Sequence, residues 1–253
     1  MVGKSEIAQK VSMPAQWIDI RVGNDSMETY IAYPPDDAKH PAVIVAQEIW
    51  GVNAYIQSIT NRLAREGYVA IAPALFHREG PGTIGLFEET DIAFERLGRL
   101  RDDQLLEDLR AVESFLQDQS NVVRDSIGIV GFCVGGRISY LAAANLEHLS
   151  AAVDFYGGRC FVPFGESPTP FDQTQDIRVP LLGLFGEDDQ NPSPEDVARM
   201  REELERCAKD FEFHSYAGAG HGFNCEERPT YRREASLDAW ARTLDWFERY
   251  LAH

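Results

Sequence analysis

The tightest constraint on this chain is a six-residue turn. Gly131-Phe132-Cys133-Val134-Gly135-Gly136 follows an apolar run ending at Val130 and precedes a helix expected from about 134 to 146. A strand that becomes a helix within so few residues holds the residue at its tip in a strained backbone. Side chains on either flank would strike the neighbouring strand and helix, and glycine on both sides removes that clash. The pattern has the form of the nucleophile elbow Gly-x-Ser-x-Gly, with Cys133 in the serine position. A helix starting there offers free N–H groups and a positive dipole end, which favour a thiolate and a developing oxyanion. Two other readings compete. A buried structural cysteine in such a turn is common, whereas a phosphate loop would need Gly-Lys-[Ser/Thr] or Gly-x-Gly-x-x-Gly, and neither occurs.

Around this turn, short apolar runs alternate with amphipathic stretches. Strands are predicted at 41–46, 68–75, 126–131, 151–156, 180–185 and 211–216. Helices are predicted at 53–66, closed by Gly67, and at 102–119, 134–146, 194–208 and 229–251. Leu105, Leu109, Val112 and Leu116 mark the buried face of 102–119, with Asp102 and Asp103 as capping candidates; Leu237, Trp240, Leu244, Phe247 and Leu251 mark that of the last helix. Upstream, 16–22 and 28–33 read as an antiparallel hairpin turning at Gly23-Asn24-Asp25. The fold class is therefore α/β: a mostly parallel central sheet with helices on both faces and an N-terminal antiparallel hairpin. No repeat, low-complexity tract or long linker appears, and 157–178 reads as a surface excursion, so residues 1–253 are expected to form one domain.

Charge narrows the partners. The formal net charge of -17 argues against nucleic acid, which requires clustered Lys and Arg. The polar stretch 1–15 has no apolar core for a signal peptide, and no segment approaches the ~20 apolar residues of a membrane helix. Four scattered cysteines, at 133, 160, 207 and 225, form neither a CxxC pair nor a disulfide framework, which points to a cytoplasmic location. No cofactor is expected, and His77 and His221 lack companions at metal-ligand spacing.

The elbow predicts partners in chain order: an acid after a later strand, then a histidine after the last one. The 180–185 strand runs into Gly186-Glu187-Asp188-Asp189, and 211–216 runs into Gly218-Ala219-Gly220-His221-Gly222-Phe223. Position three after the glycine favours Asp189, with Asp188 and Glu187 as neighbouring alternatives. Cys133, Asp189 and His221 would meet at the carboxyl edge of the sheet.

Three segments together, Gln47-Glu48-Ile49-Trp50-Gly51-Val52-Asn53, the Gly131–Gly136 elbow and Gly220-His221-Gly222-Phe223, resemble the dienelactone hydrolase (carboxymethylenebutenolidase) family of α/β-hydrolases, over about residues 15 to 250. The resemblance implies Cys133 as nucleophile, His221 as general base and Asp189 as the group that orients the imidazole. It implies an oxyanion hole from the backbone N–H groups of Ile49 and Val134, where each such donor typically contributes about 3–4 kcal/mol. Glu48 matches the family carboxylate that keeps the thiol neutral at rest and takes its proton once substrate binds. Arg78 matches an arginine that grips a substrate carboxylate through paired hydrogen bonds. One departure stands out: where a second such arginine belongs, four residues after His221, the chain has Cys225, with Arg228 three residues further on as a stand-in.

The expected activity is hydrolysis of a small lactone or ester, carboxylate-bearing, with dienelactone the leading candidate. A general small-acyl esterase or thioesterase is the alternative. A non-catalytic, redox-sensing protein using Cys133 on the same scaffold is a third reading.

Overall fold

A computed structural model describes residues 15–251; the stretch read above for a signal peptide lies, but for Ala15, outside the described residues. The chain begins with β1 (Ala15–Val22) and β2 (Asp25–Ala32), paired antiparallel around a two-residue turn. Then follow β3 (His40–Ala46), α1 (Ala54–Arg65), β4 (Val69–Pro73), α2 (Thr90–Leu97) and α3 (Asp102–Gln117). The second half holds β5 (Val122–Phe132), α4 (Val134–Asn145), β6 (Leu149–Phe155), β7 (Leu181–Gly186), α5 (Pro194–Arg206), β8 (Phe211–Tyr216) and α6 (Arg233–Tyr250).

The eight strands form one sheet in the order β1-β2-β4-β3-β5-β6-β7-β8. β2 pairs antiparallel with β4, and every pair from β4 to β8 is parallel. Alternate residues of β3 explain the two cores. Ala42, Ile44 and Ala46 join Leu105, Leu109, Val112 and Leu116 of α3 and Met200 and Leu204 of α5 on one face. Val43 and Val45 join Ile56 and Leu63 of α1 and Trp240 and Phe247 of α6 on the other. A strand covered on both faces cannot alternate apolar with polar, which is why 41–46 is apolar without a break.

Strand order reverses at β3. The chain leaves it for β4 on one side and later returns to β5 on the other, opening a crevice at the carboxyl ends of the strands. Because Ala46 pairs with Gly131 in parallel register, Gln47–Ile49 emerges beside Phe132–Val134. The register alone brings two distant motifs together.

Several local expectations need correction. Asp102 does not cap α3; the cap position is Arg101, with no side-chain bond. Asp102 instead turns inward to a bidentate pair with Arg137, at 2.6 and 2.9 Å, both side chains being fully buried. In α6 the packed stripe is Ser236, Ala239, Trp240, Thr243, Trp246 and Phe247, and Leu237 is exposed. Small residues interleaved with aromatics let the helix lie close to the sheet, an arrangement that leucine spacing does not reveal. α2 went unpredicted because exposed Ile92 and Phe94 blur its apolar period.

Candidate active site

The elbow is built as tightly as its glycines imply. A Cβ on Gly131 would collide with the carbonyl oxygen of Gly135, and one on Gly135 with that of Ala46. Cys133 itself has φ 59° and ψ -120°, a left-handed backbone that costs a non-glycine residue about 1–3 kcal/mol. Its N–H donates to Phe155 O at 3.1 Å, which ties the tip to β6. The side chain stands at the first turn of α4, partly exposed.

His221 and Asp189 arrive from the two strands at the far edge. The Asp188 N–H donates to Ala219 O at 2.9 Å and the Glu187 N–H to Tyr216 O at 3.0 Å, so the acid loop and the histidine loop are laced together. His221 Nδ1 donates to Asp189 Oδ2 at 2.9 Å. Asp189 is buried, and its other oxygen accepts from the Asn191 N–H at 2.8 Å. Of the three neighbouring acids it alone turns inward; Glu187 and Asp188 are exposed. Burial works against a charged imidazole, but the neighbouring Cys133 sulfur and the Asp189 carboxylate outweigh it and hold His221 well above the ordinary histidine range. Tyr156 supports the imidazole edge-to-face, with ring centroids 5.2 Å apart.

The Gln47–Asn53 segment divides its labour. Gln47 Oε1 accepts from the Leu75 N–H at 3.0 Å, joining the ends of β3 and β4, and Asn53 Oδ1 caps α1 by accepting from the Ile56 N–H at 3.2 Å. Glu48 is fully buried, and neither carboxylate oxygen has a hydrogen-bond partner among the described residues. Its nearest cation is Arg228, with Nη1 3.6 Å from Oε1. Burial raises the Glu48 carboxyl above its usual range, and the charges of Arg228 and His221 pull it partly back. Cys225 is buried as well, its thiol pushed up to about 12 by burial and by the charge of Glu48.

Ile49, Trp50, Cys133, Val134, Asp189, His221 and Arg228 all line one cavity of about 850 Å³. The backbone N–H groups of Ile49 and Val134 have no protein acceptor among the described residues, as an oxyanion hole requires. Arg78 is not brought to this cavity. Its Nη1 donates to buried Asp108 at 2.8 Å and Nη2 to Glu107 at 3.3 Å, and it borders a separate small crevice. Two α3 carboxylates hold its guanidinium, away from the residues that line the larger cavity.

Sequence reasoning passed over Arg159, which also lines the cavity. It has φ 62°, its N–H donates to Asn191 Oδ1 at 3.1 Å, and its carbonyl accepts from Arg137 Nε at 3.1 Å. Gly157-Gly158-Arg159 directly after a strand was the available signal. Asp154, on β6 beneath the elbow, was passed over as well. It is fully buried, accepts from the Gly157 N–H at 2.7 Å, and burial pushes its carboxyl up to about 7.

Comparison with known proteins finds relatives over most of the chain. A family model described as the dienelactone hydrolase family matches residues 27–251. A protein of Escherichia coli (strain K12), provisionally named a carboxymethylenebutenolidase, is 38% identical over 96% of this chain and 88% of its own length. One from Synechocystis sp. with the same provisional name is 37% identical over 88% of this chain and 91% of its own. A crystal structure from Klebsiella pneumoniae subsp. pneumoniae, provisionally described as a dienelactone hydrolase, superposes with a TM-score of 0.87 at 36% identity, covering 94% of this chain and 100% of that one.

Proposed function

This chain belongs to the dienelactone hydrolase family, and from that premise we propose that it hydrolyses small esters or lactones by acyl transfer through Cys133. The observation that carries the reading is the convergence of Cys133, His221 and Asp189, from three separate strand ends, on one cavity with two free backbone N–H groups.

In this mechanism the Cys133 proton passes to His221, whose Nδ1–H is fixed by Asp189, and the thiolate attacks the carbonyl carbon. Negative charge collects on the carbonyl oxygen beside the Ile49 and Val134 N–H groups. As the tetrahedral intermediate collapses, the ester or ring C–O bond breaks and His221 returns its proton to the departing oxygen. Water, deprotonated by the same imidazole, then cleaves the thioester and frees Cys133. Glu48 acts as an auxiliary proton acceptor: it is a buried carboxylate with no hydrogen-bond partner among the described residues, and an incoming group that draws Arg228 away leaves it more basic. The four free thiols suit a reducing cytoplasm.

Two substrate classes remain in view. Arg228 at the cavity supports a carboxylate-bearing lactone such as dienelactone. The withdrawal of Arg78 and the presence of Cys225 favour a neutral ester. Dienelactone and p-nitrophenyl acetate should be followed side by side, with Cys133→Ala as control. Turnover lost in Cys133→Ala with a normal circular dichroism spectrum is the expected result, and retained turnover would remove the nucleophile assignment. The ratio of the two rates decides between substrates.

A further inference from the structure

The cavity far exceeds what its reacting centre needs. About 850 Å³ lies near the upper end of the roughly 300–1,000 Å³ that holds a drug-sized ligand, and a six-carbon lactone would occupy a small part of it. The excess runs along an apolar wall. Trp50, next to Ile49, packs edge-to-face on Phe87 with ring centroids 4.9 Å apart. α2 then turns Thr90, Phe94 and Leu97 to the same cavity, at the i, i+4, i+7 spacing of one helix face.

The wall is buried at Trp50 and Leu97 and opens to solvent at Phe94. Phe94 is 50% exposed, and Ile84, Leu86 and Ile92 on the same stretch are exposed as well. Among the described residues, four of the seven large exposed apolar side chains fall in this one short segment. Single exposed apolar residues need no explanation, but a concentration of them in one segment that also lends Phe94 to the cavity marks a binding surface. A partner protein would need only the outer surface. Phe94 and Leu97 share their cavity with Cys133 and His221, which points to the substrate.

We propose that Trp50, Phe87, Phe94 and Leu97 receive an apolar arm of the substrate, so that the enzyme acts on esters or lactones carrying an alkyl or aryl group beyond the reacting carbonyl. The inference rests on the acyl-transfer reading of Cys133. Transfer of each methylene from water to such a wall favours binding, and selectivity should climb with chain length until the wall is covered.

The test measures kcat/KM across p-nitrophenyl esters from acetate to octanoate, and across a parallel series of alkyl and aryl acetates, since the arm can lie on the acyl or the alcohol side. Wild type, Phe94→Ala and Phe94→Asp are compared, with melting temperatures to verify folding. The expected result is a rise of about two- to fourfold per methylene in at least one series. The ratio of the best long substrate to the shortest should fall roughly tenfold in Phe94→Asp and less in Phe94→Ala. Flat profiles in both series, or a ratio unmoved by Phe94→Asp, overturn the inference. Acetate turnover that vanishes in Cys133→Ala would in that case leave acyl transfer standing. Absence of Cys133-dependent turnover throughout both series would overturn both readings.

Discussion

Folding carries the Asp154 carboxylate into a buried slot between Gly136 and Gly157, where one oxygen accepts a hydrogen bond and the other has none among the described residues. Its folded value of about 7 stands above the ordinary 3.8 of the unfolded chain. Between those values the unfolded chain has released a proton that the folded protein retains, so stability falls as pH rises from about 4 to 7, by at most about 4 kcal/mol. Asp154→Asn is expected to flatten that decline, leaving the variant's melting temperature above wild type at pH 8. His221 supplies a second titration. Cys133→Ala removes the charge and hydrogen bond that hold the imidazole up, so its pKa should drop when followed by NMR. At the cavity, Arg228→Ala should raise KM about tenfold for a carboxylate-bearing lactone and little for a neutral ester. Arg78→Ala should shift neither by that much, because Asp108 and Glu107 already engage it. The residues differ in how much sequence reveals. Cys133 sits in a motif whose spacing reflects backbone geometry and Glu48 was legible only through the family resemblance, while the destination of the Arg78 side chain depends on carboxylates some thirty positions away.

Arg137 joins three separate pieces of the chain. Its guanidinium pairs with Asp102 of α3, donates to the carbonyls of Arg159 and Val162, and lies over the Phe164 ring, 3.7 Å from its centroid. Cutting one side of a buried ion pair leaves an uncompensated charge, so Arg137→Ala should destabilise by about 3–5 kcal/mol in urea titration. The double change Asp102→Leu with Arg137→Met should recover most of that loss, while disturbing the Arg159 loop enough to lower kcat/KM. Gly135→Ala should yield little soluble protein, since the added methyl meets the Ala46 carbonyl across β3. The elements themselves were readable where apolar residues run unbroken, as in β3 and β7, or recur at a helical period, as in α3. α2 was not, because only Ala93 and Leu97 reach the core while Ile92 and Phe94 are exposed.

Across the whole molecule, the alternation of strand and helix sufficed to predict a parallel sheet covered on both sides, and the hairpin was marked by its Gly23-Asn24 turn. The strand order was not derivable in the same way, since β3 gains β4 on one edge and β5 on the other through contacts distant in sequence. That order has a consequence beyond placing residues. Ala46 and Gly131 are register partners, and Cys133 and Ile49, the proposed nucleophile and one proposed oxyanion donor, leave the sheet on the two strands they belong to. A slip of one residue between β3 and β5 would turn every side chain of the shifted strand to the opposite face and bring the elbow against the wrong backbone. A misassembled sheet therefore has no working centre, and specific activity in a refolding mixture becomes a count of the molecules that have paired their strands correctly.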